Sequence, residues 1–308
     1  PLLKKKLNSF PLNKYDWLHT ISFPCSSHLA GLYLKSKTNL PWVAQFYDPW
    51  VGNCYRKYKT KFFRKLDEKI EYQVAMNADI IIHTNEIIKK DWERRYGKKV
   101  SEKIFVLPFS YDENSPVMDH AKPINRKKKR ILYAGNLYLD RNLEDIIKAL
   151  KIMRKKIPDL EEKIEFVFIG NVPNRDKINI SANNLNNLFV FLGQKPYNEL
   201  STFYNEADLL LVIDAPAEEN LFFPSKLIEY FLYQKPILSI SPKISVTHDL
   251  LSESGHKWIE NGDINQMVEY FINLLNDYDA LLKFDHDYYQ RFSPQNLSNE
   301  YLKLVKKL

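Results

Sequence analysis

Ser225, Lys226 and Glu229 lie in the stretch FFPSKLIEYFLYQKPIL, Phe222–Leu238. Pro224 suits the first turn of a helix, and Ser225 can satisfy free N–H groups there. A helix start attracts anions through its open N–H groups and its dipole. Lys226 has the wrong sign for that dipole, and an anion bound at this end accounts for it. Glu229 lies one turn on from Ser225, on the same face. A carboxylate accepts two hydrogen bonds side by side, which suits the neighbouring hydroxyls of a ribose. A surface ion pair between Lys226 and Glu229 explains the two charges equally well.

A second group lies in ILYAGNLYLDRNLEDIIKAL. A strand ends at Gly135, a loop carries Asn136 and Arg141, and a helix begins near Asn142. Arg141 can reach a phosphate from that loop, or pair with Asp140 or Glu144. A third is YRKYKTKFFRKLDEKIEY, Tyr55–Tyr72, where cations interleave with Tyr58, Phe62 and Phe63. On a helix this suits an anionic membrane surface, a nucleic acid, or simply a solvated basic face.

The elements that must position these residues alternate along the chain. In the first half the apolar runs predict strands at Trp17–Ser22, Trp42–Tyr47, Asp79–His83 and Ile104–Leu107. Helical stretches fall at His28–Lys35, Tyr55–Met76 and Glu86–Tyr96. Glu113–Lys129, with Pro116 and Pro123, reads as a linker. Strands resume at Arg130–Ala134, Glu165–Ile169, Leu188–Leu192, Leu209–Ile213 and Pro236–Ile240. Helices are expected at Leu143–Lys156, Tyr197–Asn205, Ser225–Tyr233, Asn265–Asn276 and Pro294–Lys307. Runs such as IEFVFIG and DLLLVID are apolar on both faces, as central parallel strands are. The pattern predicts an α/β protein with two Rossmann-like domains, 1–120 and 121–308.

The chain has only 8 glycines, and Gly135, Gly170 and Gly193 each directly follow a strand of the second half. Ligands of open α/β sheets bind beyond the carboxyl ends of the strands, so a cleft is expected there. Neither a G-x-G-x-x-G nor a phosphate-loop motif is present. The basic excess lies in residues 1–130, which hold 26 Lys and Arg against 13 Asp and Glu. That points to an anionic partner, in part through the run Arg126–Arg130. Cys25 and Cys54 have no metal-like spacing and read as small buried residues. The first residue is Pro1, which fits a processed chain or a piece of a longer one.

YAGNLYLDRNLEDIIKAL, FLGQKPYNELSTFYNEADLLLVI and PSKLIEYFLYQKPIL, in that order, resemble glycosyltransferases of the GT-B fold, most of all family four, the "group 1" type. LPWVAQFYDPW and NADIIIHTNEIIKKDW resemble the acceptor-side domain of that family. The resemblance runs from about Asp16 to Leu308. It implies retaining transfer of a sugar from a UDP- or GDP-linked donor, without an essential metal or other cofactor. Gly135 and Asn136 match the loop under the donor phosphates, and Arg141 the basic residue that binds them. Ser225, Lys226 and Leu227 match the helix start that cradles the diphosphate, and Glu229 the carboxylate for the ribose. Gly193, Gln194 and Lys195 match the segment beside the base.

Two departures from the family pattern stand out. The family often shows Glu, seven residues, Glu, and the first of these positions is Leu221 here, with Glu218 and Glu219 out of register. Family members also open with a strand and a Gly-rich loop, so the first domain is expected to lack an N-terminal segment. Asp48, at the end of the strand WVAQFY, can orient or deprotonate an acceptor hydroxyl, or cap the turn before Pro49. His28 starts a helix nearby and reads as a structural histidine or a group of the same cleft. The expectation is a glycosyltransferase of cell-surface polysaccharide or glycolipid synthesis, with Asp48, Arg141 and Lys226 as its catalytic groups. Its acceptor is a lipid-linked or other saccharide, and it is peripheral on the cytoplasmic face of an anionic membrane through 55–72, with no nucleic acid. The alternatives are a catalytically inactive, membrane-bound partner of other transferases and a nucleotide-sugar epimerase. A nucleic-acid-binding protein rests on charge alone.

Overall fold

The computed structural model describes residues 11–53, 56, 58–117 and 126–308. The chain divides into two compact units. One runs to Ser110 and takes in Leu221–Phe223 and Pro294–Leu308; the other comprises Tyr111–Asn220 and Pro224–Ser293.

In the first unit, β1 (Leu18–Ile21), β2 (Trp42–Gln45), β3 (Ile80–His83) and β4 (Ile104–Val106) form one parallel sheet in that order. These are the four strands the apolar runs predict. Trp42, Phe46, Ile81, Ile88 and Trp92 fill its core. The Trp42 ring N–H donates to the Thr20 hydroxyl at 2.8 Å, so its one polar atom is satisfied. On the other face Leu304, from the helix Pro294–Val305, packs with Val43, Ile80 and Ile82.

Helix Lys61–Asn77 begins later than the Tyr55 expected. Thr60 is extended, with φ −146° and ψ 158°, so the helix cannot reach back through it. Cys54, Tyr55 and Lys57 lie outside the described residues, as does most of the proline-containing stretch of the expected linker. Cys25 is buried, and burial pushes its thiol up to about 12.

The second unit is built on a six-stranded parallel sheet. Its strands are β5 (Lys129–Ala134), β6 (Ile164–Ile169), β7 (Phe189–Gly193), β8 (Leu209–Ile213), β10 (Ile237–Ser241) and β12 (Lys257–Glu260). The short β9 (Glu219–Asn220) and β11 (Ile244–Ser245) pair separately. The order is β12-β10-β8-β5-β6-β7. The apolar runs predict five of the six. They leave out β12, an edge strand of sequence KWIE, because a four-residue run with a charge at each end carries no strand periodicity.

The central strands are apolar on both faces because helices cover both. Every residue of β8 and β10 is buried. Helix Glu144–Lys156 buries Ile146, Ile147, Leu150 and Met153, and has Glu144 and Asp145 in its first turn and three cations in its last. That polarity complements its dipole. Helix Ile264–Asn276 starts on Asp263, which accepts from the Gln266 N–H at 3.0 Å. Its Phe271 meets Phe166 of the sheet edge to face. The unit begins at Tyr111, ahead of the boundary expected near residue 120, because Asn205 donates to Pro116 O and Tyr111 N donates to Phe292 O.

Candidate active site

The site of the second unit starts where β5, β6 and β7 end. Gly135 N donates to Ile169 O at 2.7 Å, and Gly170 N to Gly193 O at 2.7 Å. Asn136 Oδ1 accepts from Asn171 N at 2.8 Å. These bonds fasten three strand ends to one another at the carboxyl edge of the sheet. A Cβ at position 170 would stand 2.2 Å from the carbonyl oxygen of Gly135, and one at 135 would stand 2.5 Å from Lys226 Nζ. Both residues have positive φ, +115° and +139°. Glycine is therefore demanded twice over, by close approach and by backbone conformation.

Two cations lie on this loop. Lys226 opens the helix Lys226–Leu232, and its Nζ sits 4.0 Å from the centroid of the Tyr133 ring. Arg141 is buried, with its guanidinium 4.7 Å from the Tyr138 ring. Its Nη2 is 3.8 Å from Oδ1 of Asp214, the residue that follows β8. Tyr133 serves both cations: the ring lies by Lys226, and the hydroxyl bonds to Arg141 and donates to Asn136 O at 3.3 Å. Burial and the neighbouring Arg141 charge lower the Lys226 ammonium to about 7, against the pull of Asp214. Burial raises the Asp214 carboxyl, opposed by Thr247, Arg141 and Lys226.

The expected cap at Ser225 does not form. Ser225 is exposed and helical, with φ −53° and ψ −33°, and its side chain makes no capping hydrogen bond. A capping serine needs extended dihedrals. The N–H groups of Leu227 and Ile228 go instead to Pro224 O at 2.8 Å and Ser225 O at 3.1 Å. Leu227 is fully buried, so only its backbone is near the helix start.

Glu229 does not pair with Lys226. Its Oε1 accepts the Tyr197 hydroxyl at 2.5 Å. The two side chains line a pocket of about 210 Å³ with Asp112, Asn114, Ser115, Tyr204 and Tyr233. Burial raises the Glu229 carboxyl, as does the facing Asp112, while the Tyr197 hydrogen bond opposes them. The Tyr197 phenol is pushed up to about 12 by burial and by Glu229. Gly193 closes β7, and Gln194 and Lys195 beyond it are exposed.

The structure thus brings Gly135, Asn136, Arg141 and Lys226 together, with Glu229 one turn further along the same helix. Tyr133, Asp214, Tyr197 and Asp112 complete these surroundings and were missed in the sequence. Asp214 had a signal: it is the first polar residue after the apolar run LLLVI. Tyr197 and Asp112 had none, because their role depends on a partner far along the chain.

Asp48 belongs to the first unit, just beyond β2, where it is half-buried and its carboxyl is raised by burial. His28, in the same unit, is a core residue. Its Nδ1 is 2.8 Å from the Thr20 hydroxyl and its ring centroid 4.2 Å from that of Phe46. Burial drops it to about 4, so it is neutral at pH 7. Leu221 is 1 % exposed and lies in the first unit's core with Trp50 and Trp92; Asn85 donates to its carbonyl at 3.0 Å. An apolar side chain fits that setting, where a glutamate would bury an unpaired charge. Among the described residues no group of three or more His, Cys, Asp or Glu is placed to hold a metal ion.

Solved structures share this fold at low sequence identity. Sucrose-phosphate synthase from Thermosynechococcus elongatus matches with a TM-score of 0.74 and 18 % identity, over 99 % of this chain and 77 % of that one. Anabaena HepE in complex with UDP matches at 0.79 and 14 %, over 100 % and 82 %. A glycosyltransferase from Rickettsia africae matches at 0.70 and 14 %, over 99 % and 80 %. No curated protein sequence matches this chain. The fold is that of the GT-B glycosyltransferases. Residues 114–291, more than half of the chain, with Gly135, Arg141, Lys226 and Glu229 among them, match the family of glycosyl transferases group 1. The chain belongs to that family, and it is a sugar-transferring enzyme.

Proposed function

We propose that the chain transfers a sugar, with retention, from a UDP- or GDP-sugar to a saccharide or lipid-linked acceptor in cell-surface polysaccharide or glycolipid synthesis. The observation that carries the reading is the pair of cations, Arg141 and Lys226, held on the Gly135–Asn136 loop. They would stabilise the charge that grows on the leaving diphosphate. Glu229 would accept the ribose hydroxyls in place of the Tyr197 hydroxyl. Asp48, whose carboxyl is raised by burial, would orient the acceptor hydroxyl from the first unit. Similar proteins lend support, since HepE has been solved with UDP and with UDP-glucose. The first unit would serve the acceptor and the second the donor. No metal is required in this reading, because the two cations supply the charge that a metal would.

Calorimetry with UDP and GDP tests the donor site. One of them binds the wild type in the presence of a chelator, and Glu229→Ala weakens it at least about ten-fold. A folded chain that binds neither nucleotide overturns the assignment.

A peripheral seat on the cytoplasmic face of an anionic membrane is the second part of the proposal. Among the described residues no helix is long and apolar enough to cross a membrane. Helix Lys61–Asn77 exposes Phe62 by 70 % and Phe63 by 52 %, next to exposed Lys61, Arg64 and Lys65. Aromatic rings among cations on one helix start favour an anionic lipid surface over a nucleic acid.

A further inference from the structure

Asp214 is 2 % exposed at the carboxyl end of β8. A buried carboxylate persists only with partners. Its Oδ2 accepts the Thr247 hydroxyl at 2.6 Å, and its Oδ1 faces the Arg141 guanidinium at 3.8 Å. Lys226 is close enough for the two charges to act on each other. Arg141 and Lys226 repel one another across Tyr133. Without a counter-charge, both cations would gain by turning out to water.

We propose that Asp214 is a positioning residue of the donor site, the counter-ion that holds Arg141 and Lys226 on the Gly135–Asn136 loop before a nucleoside diphosphate reaches them. The role rests on the donor site proposed above. Thr247 fixes the carboxylate from the helix Val246–Ser254, so the ordering extends from one helix start to the other through Asp214.

The consequence is a change in pH dependence that a merely structural residue would not give. The charged groups that face Lys226 are Arg141 and Asp214. Arg141 favours loss of the lysine proton, and Asp214 opposes it. Charged Lys226 binds a diphosphate, so affinity falls as pH rises through the lysine pKa. In Asp214→Asn that pKa drops, and the fall moves to lower pH.

The experiment is a calorimetric pH series from 6 to 9 with UDP and GDP, on the wild type, Asp214→Asn and Thr247→Val. Asp214→Asn loses roughly ten-fold in affinity at pH 8 and less at pH 6. Thr247→Val keeps the charge but frees the carboxylate to move, so its affinity falls less and its midpoint moves down by a smaller step. A folded Asp214→Asn whose profile overlays the wild type overturns the proposal. If Asp214→Asn does not fold, Thr247→Val decides, and unchanged affinity there overturns it. The second readout needs no nucleotide: titration of Lys226 by the 13C shift of its Cε. The lysine pKa falls in Asp214→Asn, or in Thr247→Val if only that variant folds, even should the chain bind neither UDP nor GDP. An unshifted titration overturns the role of Asp214, whereas a shifted one without nucleotide binding refutes only the donor site.

Discussion

Gly170→Ala places one methyl group where the strand ends converge. The new Cβ would stand 2.2 Å from Gly135 O and 2.6 Å from Gly135 C. Both are backbone atoms tied down by the Gly135–Ile169 and Leu137–Asn171 hydrogen bonds, so no side chain can swing away. The contact must open by roughly 1 Å to reach an ordinary carbon–oxygen approach. Overpacking of that kind costs about 1–3 kcal/mol. The φ of +115° adds about 1–2 kcal/mol for an L side chain. For a unit of this size the loss corresponds to roughly 4–20 °C in Tm. Gly135→Ala is the control, because its Cβ meets the far end of Lys226, which can move. It should cost less stability and yet weaken UDP or GDP binding, since it evicts Lys226 from the Tyr133 ring. Thermal unfolding followed by circular dichroism, with calorimetry on the same samples, separates the two effects. A Gly170→Ala protein that melts within about 2 °C of the wild type would refute the reasoning. So would a Gly135→Ala variant less stable than Gly170→Ala.

The remaining predictions concern pH, the membrane and the departure at Leu221. His28 and His83 are buried in the first unit and held down to about 4 and about 3, chiefly by burial. Both stay neutral when folded while the unfolded chain takes up protons below about 6.5, so stability falls as pH drops from there. For His28 the loss reaches on the order of 3 kcal/mol by pH 4. Neither ring nitrogen of His83 has a hydrogen-bond partner among the described residues, so His83→Leu should flatten part of this dependence in urea titrations at pH 7 and 4.5. Phe62→Ala with Phe63→Ala should weaken binding to anionic vesicles by about ten-fold or more, and unchanged binding in a sedimentation assay removes the membrane proposal. Leu221→Glu should destabilise the first unit by about 3 kcal/mol or more without creating a new donor contact, because the side chain is enclosed by that unit's core.

Much of the fold is legible from local pattern. The runs IIIH, IEFVFI and LLLVI read as strands because they are almost continuously apolar and too short for a helix of ordinary length. β12 escaped because its four residues gain their ladder only from β10 beside them. The start of helix Lys61–Asn77 was misplaced because its sequence is amphipathic on both sides of Thr60, and only the extended dihedrals there end it. In the candidate site, the glycines after strands and the Pro-Ser-Lys helix start could be read directly. The Ser225 cap could not, since capping depends on a backbone angle that the following turn sets.

The sequence by itself determined the alternation of strands and helices, the apolar faces and the side chains available at each strand end. Those properties are local, set by neighbours within about one helical turn or a few residues of strand. The tertiary structure alone decided which charges meet. Lys226 turns to Tyr133, Arg141 and Asp214 rather than to Glu229, and Glu229 turns to Tyr197. The reason is the strand order β8-β5-β6-β7, which differs from the order along the chain. It sets the loops after β5 and β8 side by side, and no spacing in the sequence encodes that adjacency.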